Sequence, residues 1–280
     1  MDIIAFWENP IMCSALIAGL FAAILGGIVG SIVVVKRISF VSGSISHSIL
    51  AGMGLFLWLE RTFTVALPSP MWGALITAVL AAIAISHAEA SFRAREDSII
   101  ATVWAAGMAI GIIFISKTPG YTTDLSNILI GNILWVSSSD IFLLAALAAT
   151  CLIFTARKFQ QIKLLTFDKD EAKLQGVHVN KLYTQLLILV AMSVVALTQV
   201  VGIVLVMTML TLPQLLSALF CQKLSSMIVL SIVTSAVCTA SGLLIAYFLD
   251  WPAGASIAIT SMTIYLLGVA FTRFSSRATV

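Results

Sequence analysis

Charge is what this sequence has least of. Of its 280 residues, 10% are Asp, Glu, Lys or Arg and 60% are hydrophobic. Soluble domains carry about 25% charged residues, so this chain has too little polar surface to clothe a water-soluble fold. The low hydrophobicity that disorder requires is missing as well. What remains is an all-α polytopic membrane protein. A spanning helix takes ~20 apolar residues, so nine would use ~180 and leave ~100 for loops. Residues 1–280 therefore read as a single transmembrane domain with no room for a separate soluble one.

Other absences narrow the chemistry. The four cysteines form no CxxC pair, which argues against a disulfide framework or a zinc knuckle and for small buried thiols. HExxH and GxSxG do not occur, so hydrolysis and intramembrane proteolysis have no visible machinery. GxxxxGK[ST] is absent too. The chain thus holds no phosphate-binding loop, and ATP-driven transport would need an ATPase on another chain. No Asp or Glu falls mid-span, whereas secondary carriers usually need an ionisable relay in the bilayer. A net charge of +3 is too small to suggest a nucleic-acid partner. The opening MDIIAFWENP lacks the positive n-region of a cleavable signal, so the first apolar segment is expected to be a true span.

Apolar runs give nine expected spans: 12–35, 44–60, 71–88, 99–116, 141–156, 182–200, 203–222, 226–248 and 254–272. The count becomes eight if 182–222 is one helix. That helix would be ~60 Å long, twice the hydrocarbon thickness, so a break at Gln199–Gly202 is expected. Basic residues decide between the counts. With nine spans and the N-terminus outside, only Arg61 and Lys117 of the 15 Lys and Arg face out. The C-terminus is then cytoplasmic. Segment 121–136 is apolar but short and interrupted, and predicts a re-entrant or interfacial helix near 125–135.

Residues 157–181 form the longest hydrophilic stretch, a cytoplasmic loop in this topology. A short helix is expected from Phe167 to Leu174, with Asp168, Asp170 and Glu171 at its positive end and Gly176 stopping it. Such a segment suits docking to a partner, and equally an ordinary solvated loop.

Within the spans, KRISFVSGSISHSILAG stands out. On a helix, Gly43, His47, Ala51 and Gly54 share one face, with Ser44 and Ser48 on its shoulder. Small residues allow close helix approach or leave room for a cavity. An imidazole there is either a hydrogen-bonded bundle contact or a metal ligand. His87 and His178 read as interfacial and loop residues. Asp97, Asp124, Asp140 and Asp250 sit near span ends, where capping explains most of them. Pro213 interrupts the seventh span beside Gln214, and a kink there frees backbone carbonyls to line a cavity or to pair with neighbours.

Several ordered blocks then resemble the membrane permease subunits of ABC importers for zinc, manganese and iron. KRISFVSGSISHS is similar to R-x-x-F-x-G-D-x-x-S-H-A, and TTDLSNILIGNILWVSSSD to D-L-x-S-Y-L-F-G-N-I-L-x-V-S-x-x-D. FDKDEAKLQGV resembles the family's cytoplasmic coupling segment, and VALTQVVGIVLVMTMLTLP its V-A-L-x-x-V-G-x-L-L-V-x-A-L-L-x-x-P block. REDSIIATVWAAGMAIGI and SGLLIAYFLDWPAGASIAI match two further blocks. This chain departs in having Ser42-Gly43 where many members have Gly-Asp, so a pathway carboxylate is absent. Pro213-Gln214-Leu215 stands in place of Pro-Ala-Ala.

The resemblance implies a multi-pass permease of a bacterial inner membrane, not itself an enzyme. It would work with cytoplasmic ABC ATPase subunits that use the ATP, an extracytoplasmic metal-binding protein, and a second permease chain as homo- or heterodimer. The cargo would be a divalent metal ion with no stably bound cofactor. His47 becomes a transient pathway ligand. Gly43, Ser44, Ser48, Asn127, Asn132, Pro213 and Gln214 become pathway-lining candidates, and Phe167, Asp168, Glu171 and Gly176 the ATPase-coupling ones. The rival reading is a self-contained metal-ion channel or secondary carrier using His47 and its serine-lined face.

Overall fold

The computed structural model describes residues 9–63, 69–91, 96–119 and 133–277. Its helices are α1 Pro10–Val35, α2 Ser39–Phe63, α3 Pro70–Ser91, α4 Glu96–Lys117, α5 Ser138–Phe167, α6 Lys169–Leu174, α7 Val179–Val201, α8 Ile203–Phe220, α9 Leu224–Leu249 and α10 Ala253–Arg277. A single 3₁₀ turn, Ile133–Trp135, precedes α5. All but α6 are long and apolar enough to cross a bilayer, which makes nine spans among the described residues. The expected re-entrant helix near 125–135 lies outside the described residues apart from that turn, and so do Asn127 and Asn132.

Local chemistry sets the helix ends. α1 begins where Asn9 caps it, its Oδ1 accepting from the Ile11 N–H at 3.0 Å, with Pro10 at the first helical position where no N–H is needed. α5 begins with a capping box: Ser137 Oγ accepts from the Asp140 N–H at 3.2 Å, and Asp140 Oδ2 accepts from the Ser137 N–H at 3.0 Å. The break inside 182–222 falls at Gly202, with φ +83° and ψ 160°, a conformation open to glycine and costly for other residues. Asp140 Oδ1 also accepts from Gln199 Nε2 at 2.7 Å, which ties the start of α5 to the end of α7 on one side of the bundle.

One expectation is corrected. The 157–181 stretch is not a loop throughout: α5 continues to Phe167, beyond the expected end at 156. A kink at Lys158, with φ −109° and ψ 16°, marks where the helix leaves the apolar zone. There Lys158 Nζ donates to Gln185 Oε1 at 2.7 Å and lies over the Phe154 ring.

α1, α2 and α7 form the interior and the other spans surround them. α1 packs on α5, α8 and α9, and α7 on α3 and α5. No strong hydrophobic force acts between helices in lipid, so close backbone approach and hydrogen bonds do the joining. A Cβ at Gly52 would stand 2.0 Å from the Gly73 carbonyl oxygen, so α2 and α3 touch backbone to backbone. Gly107 and Gly111 of α4 press in the same way on Ser48 and Leu50 of α2. Many buried hydroxyls bond along or across helices: Ser31 Oγ donates to the Gly27 carbonyl at 2.6 Å and lies 3.1 Å from Ser231 Oγ of α9.

Candidate functional site

His47 lies in the first half of α2. Its ring stacks on Trp104 of α4, with centroids 4.6 Å apart and planes at 13°. His47 Nδ1 is buried and has no hydrogen-bond partner within the described residues. Trp104 is fixed in turn by its Nε1–H, which donates to Met108 Sδ at 3.1 Å. The imidazole is half-buried, while the serines on either side of it are buried.

Those serines are turned to packing. Ser44 Oγ donates to the Ile100 carbonyl of α4 at 2.9 Å, and Ser48 Oγ to the Ile45 carbonyl at 2.9 Å. Gly54 lies against the Gly111 carbonyl. The small-residue shoulder of α2 therefore receives α4, and His47 Nδ1 on this face is left without a hydrogen bond among the described residues. Gly43 opens a notch that Met207 of α8 enters, its Sδ 3.2 Å and Cε 2.7 Å from where a Cβ would be.

Pro213 and Gln214 lie on α8. Proline has no N–H, so the carbonyl four residues back, that of Met209, loses its helical donor. Gln214 Nε2 takes over, donating to the Met209 carbonyl at 2.9 Å and to the Gly26 carbonyl of α1 at 2.8 Å. The side chain is fully buried, and its Oε1 has no partner within the described residues. Pairing with neighbours, rather than an open cavity, is thus what the proline break leads to.

The acidic segment folds as the short helix α6. Asp168 is its N-cap, with Oδ1 accepting from the N–H groups of Asp170 at 2.9 Å and Glu171 at 3.0 Å. Gly176 follows the helix with φ +77° and open space around it. Phe167 belongs to the end of α5 rather than to this helix and is exposed. It borders a groove of about 350 Å³ with Phe159, Lys163 and Lys223.

Among the described residues no three His, Cys, Asp or Glu side chains converge. The arrangement is therefore a single imidazole on a tightly packed helix together with a capped acidic segment at the end of an extended one. Comparison with known proteins identifies its setting. A family model described as the ABC 3 transport family matches residues 8–272. The chain belongs to that family.

A protein described as "probable metal transport system membrane protein" from Chlamydia muridarum is 39% identical over 270 residues, covering 96% of this chain and 92% of the relative. The manganese transport system membrane protein MntC of Listeria monocytogenes is 31% identical over 257 residues, covering 92% and 89%. Among solved structures, PsaBC from Streptococcus pneumoniae in complex with Fab matches with a TM-score of 0.81 and 30% identity, over 95% of this chain and 93% of that one. This chain is accordingly a multi-pass membrane protein of an ABC transport family, whose place in a bacterium is the inner membrane.

The sequence alone did not reveal how α6 is held. Glu89 at the end of α3 pairs with Lys169 of α6. Lys36, just past α1, lies over the Tyr183 ring of α7 at 4.5 Å, and Lys169 lies over the same ring at 5.7 Å. The ends of α1 and α3, the start of α7 and helix α6 thus meet on one side of the bundle. The nine-span alternation requires that meeting. Glu89 and Lys169 are 80 positions apart, and nothing in either local sequence links them. Trp104 and Met207 were missed for the same reason, since both reach α2 from distant helices.

Proposed function

We propose that this chain is the permease subunit of an ABC importer that moves a divalent transition-metal ion, zinc, manganese or iron, into the cytoplasm. The full-length match to metal transport membrane proteins carries this reading. A second permease chain completes the pathway, ATPase subunits supply the energy from the cytoplasm, and an extracytoplasmic metal-binding protein delivers the ion. Residues 1–280 act as one permease domain, oriented with the N-terminus outside and the C-terminus in the cytoplasm.

His47 is the pathway ligand. Its unpartnered Nδ1 supports the role, because a neutral imidazole nitrogen buried without a donor is ready to accept a cation. Contact during passage is transient, since a site that binds too tightly does not release its ion. Gly43, Ser44 and Ser48 serve the pathway by shaping the wall that carries His47. Asn127 and Asn132 lie on the segment that precedes α5 and remain candidates for the same wall.

The segment from Phe167 to Gly176 docks the ATPase. Its capped helix exposes Asp170 and Glu171, and the Glu89–Lys169 pair joins it to the spans. Movement of the ATPases acts on α6 and is passed to α3 and α7.

Two His47 substitutions test the site. His47→Ala and His47→Gln are expected to assemble normally and to lose most metal uptake per assembled complex at fixed pH. Largely preserved uptake in His47→Gln, with reduced assembly in His47→Ala, would make the residue structural only. A single cysteine at position 173, in a background with native cysteines replaced, is expected to react only from the cytoplasmic face. Labelling from outside intact spheroplasts would reverse the orientation.

A further inference from the structure

The notch at Gly43 is filled by a metal-ligating group. His47 lies one turn after Gly43 on the same face of α2, and side chains four apart on a helix have Cβ atoms about 5–6 Å apart. A Cβ at position 43 would meet Met207 Sδ at 3.2 Å and Trp104 at 3.4 Å. The same indole stacks on His47. The thioether and the indole that stacks on His47 therefore both border Gly43, one turn from the imidazole, and all three side chains are half-buried. Ligation occurs in the plane of an imidazole. The stacked indole lies parallel to that plane and leaves the Nδ1 edge clear of its face.

A side chain at position 43 would have to displace the flexible end of Met207, so the thioether and a residue-43 carboxylate compete for one space.

We propose that Met207 supplies the second donor of the transport site. It pairs with His47 as a nitrogen–sulfur couple that passes borderline-soft divalent cations, zinc before manganese. The inference rests on the reading of this chain as a metal permease and adds what that site selects. Thioether and imidazole ligands favour softer ions, whereas carboxylates suit manganese. Zinc takes nitrogen and sulfur donors with little demand on geometry. Both donors are neutral, so the pair holds the ion more loosely than a carboxylate would and releases it readily.

The test is initial uptake of radiolabelled zinc and manganese by the permease–ATPase complex in proteoliposomes with its binding protein. It is read as the zinc-to-manganese ratio and compared between wild type and Met207→Leu. Leucine keeps volume and apolarity while removing sulfur. The ratio is internal, so it cancels both the binding protein's own preference and any loss of assembled complex. Loss of an outer-shell partner alone typically costs 10–100-fold in metal affinity, so the ratio is expected to fall by about tenfold or more. Gly43→Asp combined with Met207→Ala is expected to retain transport and shift the ratio toward manganese. An unchanged ratio in Met207→Leu, with wild type transporting metal, overturns the role of the thioether alone. Failure of wild type to transport either ion overturns both this inference and the reading beneath it. A readout free of variants is zinc-edge X-ray absorption of the selenomethionine-labelled, zinc-loaded complex. A selenium neighbour to zinc is expected, and its absence overturns the proposal.

Discussion

If Gln214 repairs the proline break, its value depends on Pro213 being there. Within a membrane bundle a side-chain hydrogen bond averages about 0.6 kcal/mol and reaches about 1.7. Gln214 makes two, to the Met209 and Gly26 carbonyls. The Gly26 bond crosses to α1 and is independent of the proline. The Met209 bond is not, because Pro213 is what leaves that carbonyl without a helical donor. Gln214→Leu strips both bonds and leaves the Met209 carbonyl unpaired, at about 1–3 kcal/mol. It also deletes Oε1, which is buried without a described partner, and so recovers part of that cost. The net effect of the single substitution is therefore a poor test. The coupling is a good one. Pro213→Ala supplies an N–H for the Met209 carbonyl, and in that background Gln214→Leu should cost about 1–2 kcal/mol less. A double-mutant cycle in detergent, with unfolding followed by tryptophan fluorescence, measures this directly. Additivity within about 0.5 kcal/mol would show that Gln214 does not serve the carbonyl that the proline frees.

Gly52→Ala puts a methyl 2.0 Å from a backbone oxygen that cannot yield, so a loss at or above the top of the usual 1–3 kcal/mol for overpacking is expected by thermal unfolding. Gly176→Ala meets no atoms and should cost only the 1–2 kcal/mol of a left-handed alanine. Equal costs would refute the packing argument. Asp168→Ala removes the α6 cap and should speed amide exchange across 169–174, at about 1 kcal/mol. Glu89→Gln should lower transport-coupled ATP hydrolysis while leaving assembly intact. Normal coupling would show that the pair with Lys169 carries no motion.

The spans were legible because crossing a bilayer is a one-dimensional requirement: a long enough apolar run announces itself without knowledge of its neighbours. The Gly202 break and the Asp168–Gly176 segment were legible for a related reason, since length limits and capping are local. The end of α5 was not. Arg157, Lys158, Gln160 and Gln161 read as a loop because they are polar, yet helical hydrogen bonds continue past the membrane surface whatever the side chains prefer. The partners of His47 were hidden more deeply. The face of α2 announced close packing, and Gly107 and Gly111 at a spacing of four were a signal for α4, but only the assembled bundle brings Trp104 and Met207 to Gly43. The same holds for Glu89 and Lys169. The proline break could be read from the sequence; the destination of the glutamine amide beside it could not.

The glycine contacts that hold α2 between α3 and α4 also restrict how this protein can drift. At Gly52, Gly73, Gly107 and Gly111 almost any substitution pushes a side chain into a neighbour's backbone, so that wall is closed to gradual change. Met207 belongs to α8, outside that clamp, and thioether-to-leucine or similar exchanges there disturb little packing. A lineage whose metal supply shifts can therefore retune its cargo through α8, one tolerated residue at a time, while the helix bearing His47 stays as it is.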